Sequence, residues 1–159
     1  MRFNCTKLVI LFISACFFSS TVLAQQPAAK PVAKFKPPVV KTTWGRLSGI
    51  DAVCFAEEAK QLVVFPLKVT DAQNYSYTVV SYHLAYTRVG VTEDEETGKT
   101  MPTKDQVGSS FTATPLPEIW QKNLVEQLQK GEELFFYDIV VYDKQGRRFF
   151  APELKITIK

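Results

Sequence analysis

With 159 residues, 46% hydrophobic and 22% charged side chains, the chain has room for one compact domain and is too mixed in composition for a disordered or fibrous polymer. Its formal charge of +3 is unevenly spread. Taking away Arg2 and Lys7 with an N-terminal leader leaves +1, Lys30, Lys34, Lys36 and Lys41 give residues 25–41 a charge of +4, and the remainder therefore carries −3, a balance with no footprint for nucleic acid.

Residues 1–24 read as a signal peptide. Arg2 and Lys7 form a positive start without an acid, an apolar run follows from Leu8 to Phe18, and Val22-Leu23-Ala24 ends in the small-residue pattern that a signal peptidase accepts, which places the cut between Ala24 and Gln25. The apolar stretch is at the short limit for crossing a bilayer. A retained anchor and a lipobox remain as alternatives: Ile13-Ser14-Ala15-Cys16 has the lipobox form, although Phe17-Phe18 stand where a polar linker usually follows. Membrane contact is expected only if Cys16 is lipidated. Cleavage after Ala24 leaves Cys54 as the lone thiol, so no intrachain disulfide can form, and burial or an intermolecular bridge are its two fates.

Residues 25–41, QQPAAKPVAKFKPPVVK, combine four prolines with lysines and no periodicity, the signature of a semi-rigid spacer, and the folded domain is expected over residues 42–159. Residues 43–51 carry two glycines and read as a turn. Residues 52–60 fit either a short helix or broken strand. Residues 61–69 read as a strand with Pro66 inside it, which points to an edge or a bulge. Residues 75–88 are the clearest strand, whose alternation places Tyr75, Tyr77, Val79, Ser81, His83 and Ala85 on one face. Residues 90–110 are polar and include Glu93-Asp94-Glu95-Glu96, which predicts a solvated loop or loose hairpin of little weight in folding.

Residues 117–130 predict the one helix. Pro117 suits the first turn, Glu118 the positive end of the dipole and Gly131 the C-terminal cap, while Ile119, Trp120, Leu124 and Leu128 form an apolar stripe. Residues 133–142 are a strong strand, Asp143 to Gly146 a turn, and residues 147–151 the hairpin partner. Leu154, Ile156 and Ile158 then alternate with Lys155 and Thr157 in a terminal strand with one dry face. The succession predicts a mainly β chain: an immunoglobulin-like antiparallel β-sandwich with one short amphipathic helix.

Chemical motifs are sparse. His83 is the single histidine, so a metal site lacks spaced partners, and a Cys54–His83 dyad lacks a basic neighbour to stabilise a thiolate. Glu57 and Glu58 are adjacent and their side chains diverge. There is no nucleophile elbow, phosphate-cradling loop or nucleotide fingerprint, so no enzyme activity and no cofactor are expected. Aromatic residues are the remaining functional clue, at 13% of the chain. Phe135, Phe136, Tyr137, Tyr142, Phe149 and Phe150 gather in one hairpin, and consecutive aromatics in a strand point to opposite faces. Phe135, Tyr137, Phe149 and Phe150 are the candidate interaction surface, the alternative being that the helix over residues 117–130 covers the outward row.

The segment from Lys130-Gly131 through Tyr137-Asp138-Ile139, the turn from Asp143 to Gly146, Arg147-Arg148, Pro152 and the alternating Ile156 and Ile158 resembles the C-terminal domain of the GldM family, periplasmic shaft proteins of gliding motility and type IX secretion. Gly45 and Ser48-Gly49 resemble that family's opening, so Gly45, Gly49, Gly131, Asp138, Gly146, Arg148 and Pro152 are its pattern positions here. The turn is longer by Lys144-Gln145, and the family's membrane helix and preceding shaft domains have no counterpart. The resemblance implies an immunoglobulin-like module for protein contacts in the periplasm, with cell-envelope proteins as partners. The rival expectation is a β-sandwich for a small ligand or glycan, with Trp44, Tyr82 and Tyr86 as stacking platforms. Intact mass of exported material is expected to show Gln25 as the N-terminus; a mass that includes a diacylglycerol-modified Cys16 would overturn the soluble reading.

Overall fold

Pairing of two long strands organises the fold. The structure, a computed structural model, describes residues 35–159; the expected signal peptide, Cys16 and the expected spacer up to residue 34 lie outside the described residues. The elements in chain order are β1 (Val40–Trp44), β2 (Leu47–Ser48), β3 (Ala52–Cys54), α1 (Ala56–Leu62), β4 (Leu67–Asp71), β5 (Ser76–Glu93), β6 (Thr100–Phe111), α2 (Glu118–Gln127), β7 (Glu133–Tyr142), β8 (Arg148–Phe150) and β9 (Leu154–Ile158). The strands run β2-β1-β4-β5-β7-β9-β3, with β6 also on β5 and β8 also on β7. The chain is mainly β, a mixed sheet nearly closed into a barrel-like sandwich, with two helices rather than the expected one.

Several elements differ from expectation for local reasons. The first strand starts at Val40, two residues before the expected start of the domain, because that side chain is buried and its strand pairs with β4, from Val40 opposite Asp71 to Trp44 opposite Leu67. The expected turn over residues 43–51 contains β2, which folds back on β1 around Gly45, whose φ of 58° suits a residue without a Cβ. The ambiguous stretch divides: β3 comes first, and Glu57 and Glu58 then open α1. The expected strand over residues 61–69 is helix end and turn until Leu67. β3 lies parallel to β9, the one departure from an antiparallel sheet among the described residues.

The pairing of β5 with β7 decides which side chains enter the core. Val79 faces Val141, Ser81 faces Val140 and His83 faces Tyr137, so β5 carries one extra residue at Val80 and β7 one extra at Asp138. Asp138 has φ of 48°, a left-handed conformation that aspartate tolerates better than a β-branched residue. Each bulge reverses the alternation of its strand. Leu134 and Phe136 before the bulge and Ile139 and Val141 after it are all buried, and on β5 the inward residues become Tyr82, Leu84 and Tyr86. The unbroken alternation expected for β5 is therefore wrong: Tyr77 shares the side of Phe149, with ring centroids 5.4 Å apart, whereas His83 faces the other way.

Aromatic rings pack in series inside the nearly closed sheet. Trp44 packs on Phe136 at 5.4 Å, Phe136 on Tyr82 at 6.0 Å, Tyr82 on Phe111 at 5.4 Å and Phe111 edge-on to Trp120 at 5.4 Å. Their polar atoms are satisfied: Trp44 Nε1 donates to Phe65 O at 3.1 Å and Tyr82 Oη to Ala113 O at 3.3 Å. The α2 stripe is Trp120, Leu124 and Leu128; Ile119, expected on it, is 63% exposed.

Of the two expectations for residues 90–110, solvated loop or loose hairpin, the structure has the hairpin, paired along its whole length. β6 pairs with β5 without interruption, from Phe111 opposite Tyr82 to Thr100 opposite Glu93. Beyond Thr87, β5 has lost β7 and continues with β6 as a two-stranded ribbon. Asp94 shapes the ribbon's tip: its Oδ1 accepts from Thr97 N at 2.8 Å, Thr97 Oγ1 at 2.9 Å and Glu96 N at 3.1 Å, and the Thr97 donors hold its carboxyl below the usual range. Replacing residues 89–104 with a tight turn is expected to change stability by less than about 1 kcal/mol, since that part has no core and closure entropy varies slowly with length. Phe111→Ala, which empties the space between Tyr82 and Trp120, is expected to cost about 3–5 kcal/mol. Urea melts compare the two, and a loss of several kcal/mol from the shortened ribbon would contradict this division.

Candidate interaction surface

Alternation after the two bulges turns one row of aromatics away from the core. Phe135 and Tyr137 stand two residues apart on β7 and stack with centroids 5.2 Å apart and planes at 17°. His83, directly opposite Tyr137 on β5, extends the row at 5.2 Å and 30°. All three are half-buried. Beside them Ala85 on β5 and Gly108 on β6 have too little side chain to fill the face, leaving a shallow trough of about 250 Å³ lined by Ala85, Gln106, Gly108, Phe135 and Tyr137. On β9 the neighbouring position is Lys155, whose Nζ pairs with Glu133 Oε2 at 3.0 Å.

Phe149 and Phe150 separate as adjacent strand residues must. Phe149, opposite Val141, is 6% exposed and packs on Tyr77, so it belongs to the core and is removed from the candidate surface. Phe150, opposite Val140, is 69% exposed on the side reached by Phe135 and Tyr137. The stacking platforms expected for a glycan fail on burial: Trp44, Tyr82 and Tyr86 are each 3% exposed or less. Tyr86 instead donates from Oη to Glu132 Oε2 at 2.5 Å, and burial together with that carboxylate holds its hydroxyl well above the usual phenol range. Glu132, itself 3% exposed, also accepts from Gln129 N at 2.8 Å and so ties the end of α2 to the base of the ribbon.

Cys54 and the adjacent Glu57 and Glu58 have structural roles. Cys54 is buried opposite Ile158, and burial, with a smaller contribution from Glu58, pushes its thiol up to about 11, so it stays protonated at neutral pH. It faces inward on β3 whereas His83 faces outward on β5, with β7 and β9 between them, which excludes a dyad. Glu58 pairs with Arg46 and Glu57 with Lys60 at 3.1 Å, so the adjacent carboxylates diverge. Among the described residues no three His, Cys, Asp or Glu side chains gather as a metal site.

The GldM-pattern residues fall mostly at turns. Gly45, Gly49, Gly131 and Gly146 all have positive φ, and Asp138 forms the β7 bulge. Arg148 is exposed on β8, and Pro152, between β8 and β9, accepts from Thr42 Oγ1 through its carbonyl. His83, Gln106 and Gly108 were absent from the expected surface. Gly108 lies in the polar stretch whose composition predicts a solvated loop or loose hairpin, and only its pairing with Ala85 gives it meaning. No protein-family model matches the chain and no curated protein does so, and the GldM likeness therefore stands on these residues alone.

Phe149→Ala is expected to cost about 3–5 kcal/mol, because it opens a cavity against Tyr77 and Val141. Phe150→Ala is expected to change stability by less than about 0.5 kcal/mol, as exposed substitutions do. Thermal melts of both variants decide the assignment, and equal destabilisation would refute it.

Proposed function

We propose that the chain is an exported, non-enzymatic protein-interaction module of the cell envelope, in the manner of the GldM C-terminal domain, and that the outer aromatic row is its contact surface. Exposed Phe150 together with the stacked Phe135, Tyr137 and His83 carries the reading. Aromatic side chains supply large contact area with little rotamer entropy to lose, which is why they anchor interfaces. The leader and the Pro/Lys-rich spacer support export and reach. The protonated, buried Cys54 and the stacking role of His83 support a module without nucleophilic chemistry.

Capture from envelope extract by the immobilised exported chain tests the proposal. Phe150→Ala and Tyr137→Ala are expected to weaken capture of the same partner by about 1–2 kcal/mol each, with Phe150→Ala melting as the unaltered chain does. Normal capture by both variants would refute the reading. Loss of oligosaccharide binding with capture unchanged would replace it with the glycan-binding rival, relocated from the buried Trp44, Tyr82 and Tyr86 to the trough beside Phe135.

A further inference from the structure

The ribbon strand β6 has one partner among the described residues, β5, and its other edge is open. The phase of that edge follows from the ladder. Asp94 N donates to Lys99 O at 2.9 Å just past the last strand pair, so the hydrogen-bonded pairs recur every second residue and place the odd-numbered residues of β6 in bonds to β5. The even-numbered residues then aim their backbone N–H and C=O groups at the open edge. Pro102 fits this phase, since it has no N–H to give β5.

The edge divides into two parts. Towards the ribbon tip Pro102 and the charge of Lys104 guard it, as natural edges are guarded against unwanted pairing. From Gln106 to Ser110 it has neither charge nor proline. In the middle of that open part sits Gly108, whose side-chain position lies on the outer face in one row with Ala85 and Phe135. The bare backbone of Gly108 and the single methyl of Ala85 form the floor of the aromatic-walled trough. A glycine on an edge strand is covered best by a large cross-strand aromatic. Four residues away on the same face, Lys104 is a cation that the ribbon's own ion pair, Arg88 with Asp105 at 2.9 Å, does not use.

We infer that β6 captures an extended segment of a partner protein by strand addition: the segment hydrogen-bonds to Gln106, Gly108 and Ser110, sets a large aromatic side chain over Gly108 against Phe135 and Tyr137, and presents an acidic residue four positions on to Lys104. Main-chain bonds supply affinity and the alternate side chains supply specificity. The inference rests on the interaction-module reading and names the partner's chemistry.

A random peptide display library panned against the full exported chain is the test. Enriched peptides are expected to hold an aromatic residue and an acid four positions apart with no proline between them. Bound to the isotope-labelled chain, they are expected to slow amide exchange at Gln106, Gly108 and Ser110, while Val107 and Ser109, already in the β5 ladder, change little. Gly108→Val fills the notch, and the position admits a Cβ, which would meet Leu84 O at 3.4 Å and Ala85 Cα at 4.0 Å. It is expected to fold at least as well and to weaken peptide binding about tenfold or more. No enrichment, no exchange protection at the even-numbered amides, or unchanged binding by Gly108→Val would overturn the inference. Protection that grows with protein concentration and no peptide would overturn it in favour of a second copy of the chain. If it falls while Phe150→Ala still weakens envelope capture, the interaction module survives with its contact surface on the aromatic row alone.

Discussion

The register between β5 and β7 is the constraint on which the rest of the structure depends. Two bulges of opposite sense, at Val80 and at Asp138, restore the pairing within a few residues and reverse the inward side of both strands. Without them, a continuous alternation would carry either Phe136 and Tyr82 or Ile139 and Val141 out of the core. With them, a single pair of strands serves both halves of the sandwich: at its start β5 joins β4, and further along it joins β6. The aromatic sequence from Trp44 to Trp120 can span the interior only because those inward positions are set this way.

The same reversal makes the outer face. Once Phe136 and Tyr82 are inside, Phe135, Tyr137 and His83 must be outside, and they lie close enough to stack. Rings that stack on one another remove part of their apolar surface from water while leaving a wall for another side chain. The small residues Ala85 and Gly108 give that wall a space to face. The surface is thus a consequence of the core and needs no separate device to hold it.

Where β5 and β6 leave the body, polar groups take over from apolar packing. Glu132 is almost fully buried, a state tolerable for a carboxylate only with donors at hand, and Tyr86 Oη and Gln129 N supply them. Past this point the ribbon has exposed faces and the ion pair of Arg88 with Asp105. An exposed pair of this kind contributes little stability. The ribbon therefore holds its shape through ladder hydrogen bonds and the Asp94 turn, and its outer edge remains available to a further strand.

Much of the fold was legible in residue order. The β9 alternation of Leu154, Ile156 and Ile158, the strand over residues 133–142, the turn at Gly146 and the helix after Pro117 each follow from a local period or a local backbone preference, so sequence by itself determined them. It also required that Phe149 and Phe150 face opposite ways, because a strand has a period of two. Which of them faces out was decided by tertiary pairing: Phe149 is opposite inward Val141. The polar stretch of β6 allowed a loop as readily as a hairpin, and the length of the strand was illegible because its order comes from hydrogen bonds to β5 rather than from burial of its own side chains. The bulges were equally hidden, since Val80 and Asp138 look like ordinary members of a strand, and buried Glu132 beside the helix end looks in sequence like any surface acid. An alternation is a property of one chain segment, whereas an inward face is a relation between segments, and only the paired strands can define it.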